Sequence, residues 1–567
     1  MASRHYLDFD NKPLPFKIYL ELPSINLPTS FPTPDVNALR CIIGKPNSIL
    51  KDDRETLNKV AASEGTTTRS TNAKHNISGL DIRSLAEILY FSAGITREVR
   101  YSYGKYYMRA ASATGALYPI ELYLVCDDIS TDLSAGVYHF SPADFSLTRV
   151  REGRYKKFLA TATAYNQCVA NSAISIIFTS VAWRNAWKYQ ARSYRHWFWD
   201  SGVIAANLLA TTYAMRLPAR IIMGFLDDDI SQLLSLEDER EAPIAIAAIG
   251  KVSEENNMRS DTQYNDGDRI PSIPVPKIRM LSKRGETNYP EIWDLNNASK
   301  LTSKEDIEEW VSNAHSNHTL QSTAIEQFQI DDSNNKENTL IVSSRDLEEN
   351  IKISRSMKET ILWRGSTRKF ARTNISMSAL KTILYSSTRG VPLDILKDEE
   401  RSLIDIYFIA NAVDGLMPGA YFYNSESSVN KLEDGFLERI KQIQSSRNIS
   451  GYLCLGQTLF SDASVVFFLM TDLHSVLGSL GNRGYRSSQF EAGIIAGKIY
   501  LAAYALGIGA SGSTFFDDAV TEVFSPHARK KSTMIAVGIG VPAYKATAGR
   551  IVPRRLTKEQ LLAQDFI

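Results

Sequence analysis

The feature that most constrains this 567-residue chain is an internal repeat: five segments recur in the same order, offset by about 290 residues from the middle segment onward. Each half opens with an amphipathic helix signal, from Ile77 and from Ile375, with Ser78 and Ser376 placed as N-caps ahead of apolar residues at helical spacing. A Gly-x-Tyr turn into strand follows (Gly136, Tyr138; Gly419, Tyr421), then a buried strand from Ala173 or Ala463. Arg192, Tyr194, Arg195, Asp200 and Gly202 answer to Arg483, Tyr485, Arg486, Glu491 and Gly493 at the head of a long apolar helix. A loop with paired aspartates (Asp227, Asp228; Asp517, Asp518) and a strand ending in glycine (Gly250; Gly540) close each half. Two copies of one helix-rich α/β unit, each of ordinary domain size, imply a pseudo-dimer within one chain.

What flanks the copies is different in kind. Residues 1–60 carry Pro23, Pro28, Pro32 and Pro34, which disfavour helix and central strand, so an extended arm on the surface is expected. The first copy runs over 61–255 and the second over 351–567. Between them, 256–350 reads as a linker: DDSNNKEN at 331–338 has too little apolar content to bury, although YPEIWDL near 290 can dock on a domain.

Bulk properties narrow the partners. Basic and acidic residues number 64 and 63, a net charge of +1, which leaves no electrostatic footprint for nucleic acid or an anionic membrane. Neither is expected as a partner. Cys41, Cys126, Cys168 and Cys454 are far apart and form no CxxC pair, which fits a reducing cytoplasm. The first residues lack a basic stretch followed by an apolar one, and no apolar run reaches the roughly 18 residues of a membrane span. The eight histidines show no ligand spacing, so no metal is expected, and the four paired aspartates read as loop and cap carboxylates.

Chemistry is concentrated in a few segments. Arg364-Gly-Ser366-Thr-Arg368-Lys-Phe370 places two cations and a hydroxyl beside free backbone N–H groups, a cradle suited to a phosphate dianion. In Gly507-Ile-Gly509-Ala-Ser511-Gly512-Ser513-Thr514 the glycines let backbone approach a flat ring where no Cβ intrudes. The first of these segments, followed by the Ile-Ser-capped helix, resembles the flavin-phosphate signature of the nitroreductase superfamily. The second resembles that family's loop along the isoalloxazine ring, and Pro553-Arg554-Arg555-Leu556 resembles its basic return to the phosphate.

In the first copy, Arg109-Ala-Ala-Ser112-Ala113-Thr-Gly115-Ala-Leu-Tyr118-Pro119 resembles the signature of SagB-type dehydrogenases, with Ala111 where that subgroup usually has proline. Lys188-Tyr189 matches a pair carried by azoline oxidases. The resemblance implies an α+β fold of two tandem nitroreductase-like, FMN-dependent domains forming an intramolecular pseudo-dimer. It also implies FMN as cofactor and removal of two hydrogens from a thiazoline or oxazoline ring. Hydride would leave one ring carbon for the flavin while Lys188 or Tyr189 takes a proton from its neighbour.

The two copies are unequal. Opposite the Arg364 cradle stands only Gly65-Thr-Thr67-Thr-Arg69, and Ser479-Leu480 replaces Lys188-Tyr189. In the family the flavin lies between subunits, so one composite site is expected. The second copy would supply Arg364, Ser366, Arg368, Gly512, Ser513, Thr514 and Arg555. The first would supply Arg109, Ser112, Ala113 and Gly115, with Lys188 and Tyr189 as catalysts. One FMN per chain follows. The substrate would be a heterocycle in a peptide or on a carrier, with a cyclodehydratase or peptide synthetase as partner. A general NAD(P)H-dependent nitro- or quinone reductase, and a non-catalytic tandem scaffold, stay open as alternatives.

Overall fold

A computed structural model describes residues 6–31, 36–44, 80–101, 104–250, 270–316, 339–397, 402–425 and 435–563. Two seven-stranded sheets are built in the same order. From edge to edge the first runs Ser24–Asn26, Ser146–Glu152, Gly136–Ser141, Ile120–Cys126, Ile174–Val181, Glu241–Ile249 and Ala219–Ile222. The second runs Thr339–Val342, Gly435–Gln442, Gly419–Asn424, Asp405–Ala410, Val465–Thr471, Ser532–Gly540 and Gly509–Ser513. All pairings are antiparallel, and the central strands Ile174–Val181 and Val465–Thr471 are buried along their whole length. That accounts for their continuous apolar runs. In both sheets the outermost strand comes from outside the repeat, from the arm in one case and from the linker in the other.

The halves meet along two long helices, Tyr194–Ala214 and Arg483–Ala505, both buried over most of their length. Their crossing depends on glycine: a Cβ on Gly202 would lie 2.7 Å from the Gly493 Cα, and one on Gly493 would lie 2.8 Å from the Trp199 carbonyl oxygen. Backbones this close leave no space for a side chain.

Three expectations need correction. The proline-rich arm is not confined to the surface: Ser24–Asn26 joins the first sheet as an edge strand, between Pro23 and Pro28, and the short helix Ala38–Ile43 is buried against both long helices. Proline excludes central strands, not edges, and Asn37 starts that helix by accepting from the Leu39 and Arg40 N–H groups. The first copy's opening helix spans Ile82–Ala93 and is capped by Asp81, whose carboxylate accepts from Ser84 N at 2.8 Å. Ser78 lies outside the described residues. In the second copy Ser376 caps Met377–Thr388 as expected.

The linker, finally, is largely a cover. Residues 270–316 lie across both halves. YPEIWDL docks as expected, in the helix Pro290–Asn297 that buries Trp293. The helix Lys304–Ser316 buries Trp310, whose indole N–H donates to Leu480 O of the second half at 3.0 Å. Their polar face, turned to solvent, explains why the stretch reads as a tether. Among the described residues no helix is long and apolar enough to cross a membrane.

Candidate active site

Arg364 caps the C-terminus of the helix Met357–Trp363 and is 7% exposed. Its guanidinium reaches across to the first half, donating to the carbonyls of Ala110 and Arg109 at 2.7 Å each. Burial pulls its pKa down, with the hydroxyls of Tyr118, Tyr504 and Tyr500 around it. Thr367 fastens the same segment to the strand Gly509–Ser513: its N–H donates to Ala510 O at 2.8 Å, and its hydroxyl meets Tyr504 at 3.1 Å. Ser366 is half-buried and Arg368 is exposed.

On the neighbouring strand Gly512 donates its N–H to the Tyr500 hydroxyl. A Cβ there would meet nothing nearer than 3.5 Å, so one side of this backbone is open. Ser513 donates to Thr514 O at 2.6 Å and accepts from Gln457 at 3.0 Å.

The first half contributes a tight loop. Gly115, Ala116 and Tyr118 all have positive φ, a strained run for two non-glycine residues. The loop is held by Asp200, a residue of the first long helix, which accepts from both the N–H and the hydroxyl of Thr114 at 2.8 Å. Burial pushes the Asp200 carboxyl up to about 7. Ser112 and Ala113 line a small cavity together with Asp200 and Tyr118.

Lys188 and Tyr189 end the helix Ala182–Tyr189 beside this loop. A Cβ on Gly115 would lie 2.9 Å from the Tyr189 hydroxyl. The buried His196 ring stands edge-on to Tyr189 at 4.6 Å. Burial and then the charge of Asp200 push the Tyr189 phenol up to about 12. Lys188 moves the other way: partial burial and then the charge of Arg368 lower its pKa. The lysine from one half and the arginine from the other therefore share one neighbourhood.

Two expected residues point elsewhere. The Arg109 guanidinium turns inward, donating to Pro15 O and to Ile120 O at 3.4 Å and stacking on Tyr118, so that its carbonyl, not its charge, faces Arg364. Arg555 donates to the Leu27 carbonyl of the arm, and the adjacent Arg554 pairs with Glu98. No described contact joins Arg555 to the Arg364 segment. Sequence reading also missed Arg97, which donates to Leu362 O at 3.2 Å and Thr547 O at 2.7 Å. Its second amino group lies 3.8 Å from where a Cβ on Gly365 would be, and its charge bears on Arg364. Alternation in Ile95–Tyr101 put this arginine on one face of a hairpin, a signal too common to single out.

Among the described residues no carboxylate pairs with Arg97, Arg364, Arg368 or Lys188. Four cations gathered from both halves beside an open glycine backbone fit an anionic group carrying a flat ring. In the first half the counterpart of Gly512 is Ile221, which is bridged by Leu393, and at Gly224, the counterpart of Thr514, the space is filled. A Cβ on Gly224 would meet Ile307 at 3.2 Å, Asp394 at 3.3 Å and Val311 at 3.5 Å, and the Asp394 carboxylate accepts from Met223 N and Gly224 N at 3.0 and 2.9 Å. The Gly65–Arg69 stretch lies outside the described residues.

Comparison with known proteins gives a consistent picture. The model of the nitroreductase family matches residues 66–251 and 395–540. A crystal structure from Anabaena variabilis ATCC 29413, of a protein named as a nitroreductase, superposes with a TM-score of 0.64 over 95% of this chain and 96% of its own, at 22% identity. The tandem fold is thus shared over the whole length. Partial alignments include the E. coli microcin synthetase McbBCD complex with truncated pro-MccB17 bound (20% identity, 35% of this chain, 82% of that one, TM-score 0.28). Another is an FMN-dependent nitroreductase from Clostridium difficile R20291 (13% identity, 33% and 88% coverage, TM-score 0.20). No curated protein sequence matches the chain.

Proposed function

The chain belongs to the nitroreductase family, whose model covers more than half of it, and from that premise we propose that it is an FMN-dependent oxidoreductase of SagB type. Its substrate is an azoline ring carried by a peptide or a carrier. The observation that carries this reading is the cluster of Arg97, Arg364 and Arg368, which pairs with no carboxylate among the described residues, is shared between halves and is set against the backbone at Gly512. Arg364, Ser366, Arg368 and Arg97 would hold the phosphate, the strand Gly509–Ser513 and Thr514 would border the ring, and Ser112–Gly115 would roof it. When bound, FMN supplies the acceptor for two electrons and a proton.

The chain's own residues handle the second proton. Lys188, its pKa lowered, suits the base that takes it from the carbon adjoining hydride loss. Tyr189, pushed up to about 12, stays protonated and donates a hydrogen bond to the ring heteroatom or its carbonyl neighbour. Asp200 keeps the roof loop in its strained turn through Thr114. With dioxygen as final acceptor, the two electrons and two protons taken from the substrate would leave as hydrogen peroxide.

Purified protein should be yellow with one FMN per chain, since Ile307, Val311 and Asp394 occupy the related place in the first half. It should convert a thiazoline peptide to the thiazole with a mass loss of two hydrogens and uptake of one O2. Lys188→Ala should cut kcat by about 10²–10⁴ while keeping its colour. Bleaching by NAD(P)H with turnover of quinones and none of thiazolines would instead make it a general reductase, and colourless protein would make it a scaffold.

A further inference from the structure

The same three residues, two arginines and an aspartate, meet at each end of the paired long helices. At one end Arg483 and Arg486 grip Asp227, and at the other Arg192 and Arg195 grip Asp517. At the first end the remaining donors of the arginines are shared between the cover and the carbonyls of Met223 and Phe225. Arg486 donates to Asn296 O at 2.7 Å and Ser299 Oγ at 2.7 Å, and Arg483 donates to Ser299 O at 3.0 Å. Leu301 N donates to Asp227 at 3.1 Å, Leu226 bridges Leu301, and Lys304 lies over the Tyr165 ring. Residues 289–301, a short helix and its exit, thus fill a groove, held by buried Ile292 and Trp293 and by the carbonyls of Asn296 and Ser299.

At the second end the equivalent surface is a cavity of about 580 Å³, lined among others by Arg195, Tyr485, Gln489, Asp517, Asp518 and Glu522. Next to Asp517 in the chain, Phe516 is 44% exposed and meets Tyr452, itself 56% exposed, with ring centroids 5.5 Å apart. Phe516 is the counterpart of Leu226, the residue that bridges the cover at the other end. Phe515, the residue between Thr514 and Phe516, accepts from Arg192 through its carbonyl at 3.5 Å and packs on Trp199 with ring centroids 6.3 Å apart.

We propose that this groove docks a polypeptide segment supplied in trans, the peptide that carries the ring to be oxidised, in the place its own residues 289–301 take at the opposite end. Arg192 and Arg195 bind its backbone carbonyls, and the Tyr452–Phe516 pair takes an apolar side chain. This deepens the reading above and rests on it for the identity of the peptide, but not for the groove's ability to bind one. The chain's own segment is tethered and so saturates its own groove, which leaves the open one to an added peptide.

The probe is a fluorescein-labelled peptide with the sequence of residues 288–301, titrated with full-length, as-purified protein and followed by anisotropy. Saturable binding is expected, weakened tenfold or more both by Glu522→Trp, which fills the groove from an exposed position, and by Arg195→Ala. Absent binding, or binding that neither variant changes, overturns the proposal. Dimers in sedimentation velocity that Glu522→Trp dissolves also overturn it, since the occupant is then a second copy. Colourless protein that still binds the peptide sinks the oxidoreductase reading alone, and active flavoprotein that ignores the peptide sinks only the docking.

Discussion

Asp227 and Asp517 occupy the same place in the repeat and each holds two arginines, yet their side chains are 2% and 38% exposed. Burial works against ionisation of Asp227, but Arg483 and Arg486 outweigh it and hold the carboxyl below its usual range. The residues that make the difference lie outside the repeat, in Asn296, Ser299 and Trp310 of the cover. Identical side chains thus acquire a structural task at one end and stay available at the other.

The sharpest way to break this comparison is to neutralise each aspartate. Asp227→Asn leaves two buried guanidinium groups without a counter-charge and should cost about 3–5 kcal/mol in urea unfolding. Asp517→Asn should cost at most about 1 kcal/mol, as for other exposed pairs. Equal losses would refute the distinction.

Arg364→Ala comes next. Loss of a charge-assisted contact of about 1.5–3 kcal/mol should weaken flavin retention roughly ten- to a hundredfold, read from the flavin-to-protein ratio after gel filtration. Part of that loss should appear as a lower melting temperature, since Arg364 also ties the halves through Arg109 and Ala110.

A third test uses pH. Asp200 and Glu491 are counterparts on the two long helices, and burial raises each to about 7. An acid raised on folding is protonated in the folded chain and ionised in the unfolded one between about pH 4 and its folded pKa. Both groups therefore make stability fall as pH rises from about 4 to about 7. Asp200→Asn should flatten that slope, and Glu491→Gln should do so to a similar extent if the two ends are alike in this respect, as measured by denaturant titration at several pH values. Asp227 acts in the opposite sense, its contribution disappearing in acid. The smallest effect is expected for Lys300→Ala, which removes an exposed pair with Asp228 and should change stability by less than about 0.5 kcal/mol.

Much of this was legible beforehand. Strand runs such as Ile174–Val181 carry strong local signals because burial demands apolar, β-branched residues, and Gly202 and Gly493 stood out as matched positions although their close approach did not. Of the cover only YPEIWDL was legible, through Trp293; Trp310 is a lone anchor in a polar stretch and its socket belongs to distant residues. Asp81 displaced Ser78 as a cap because several polar residues precede that helix and only the fold chooses among them. Arg109 and Arg555 misled for the same reason: an arginine near a site by sequence can spend its donors on nearby carbonyls, here Pro15 and Leu27.

A pair of identical subunits must express every substitution twice, once at each end of its symmetry axis. This chain encodes its two ends separately, with Gly202 and Gly493 drawing the helices into contact and the cover written once. Selection can therefore edit one end while leaving its counterpart intact, and the assembly cannot come apart on dilution, so its activity should not depend on protein concentration.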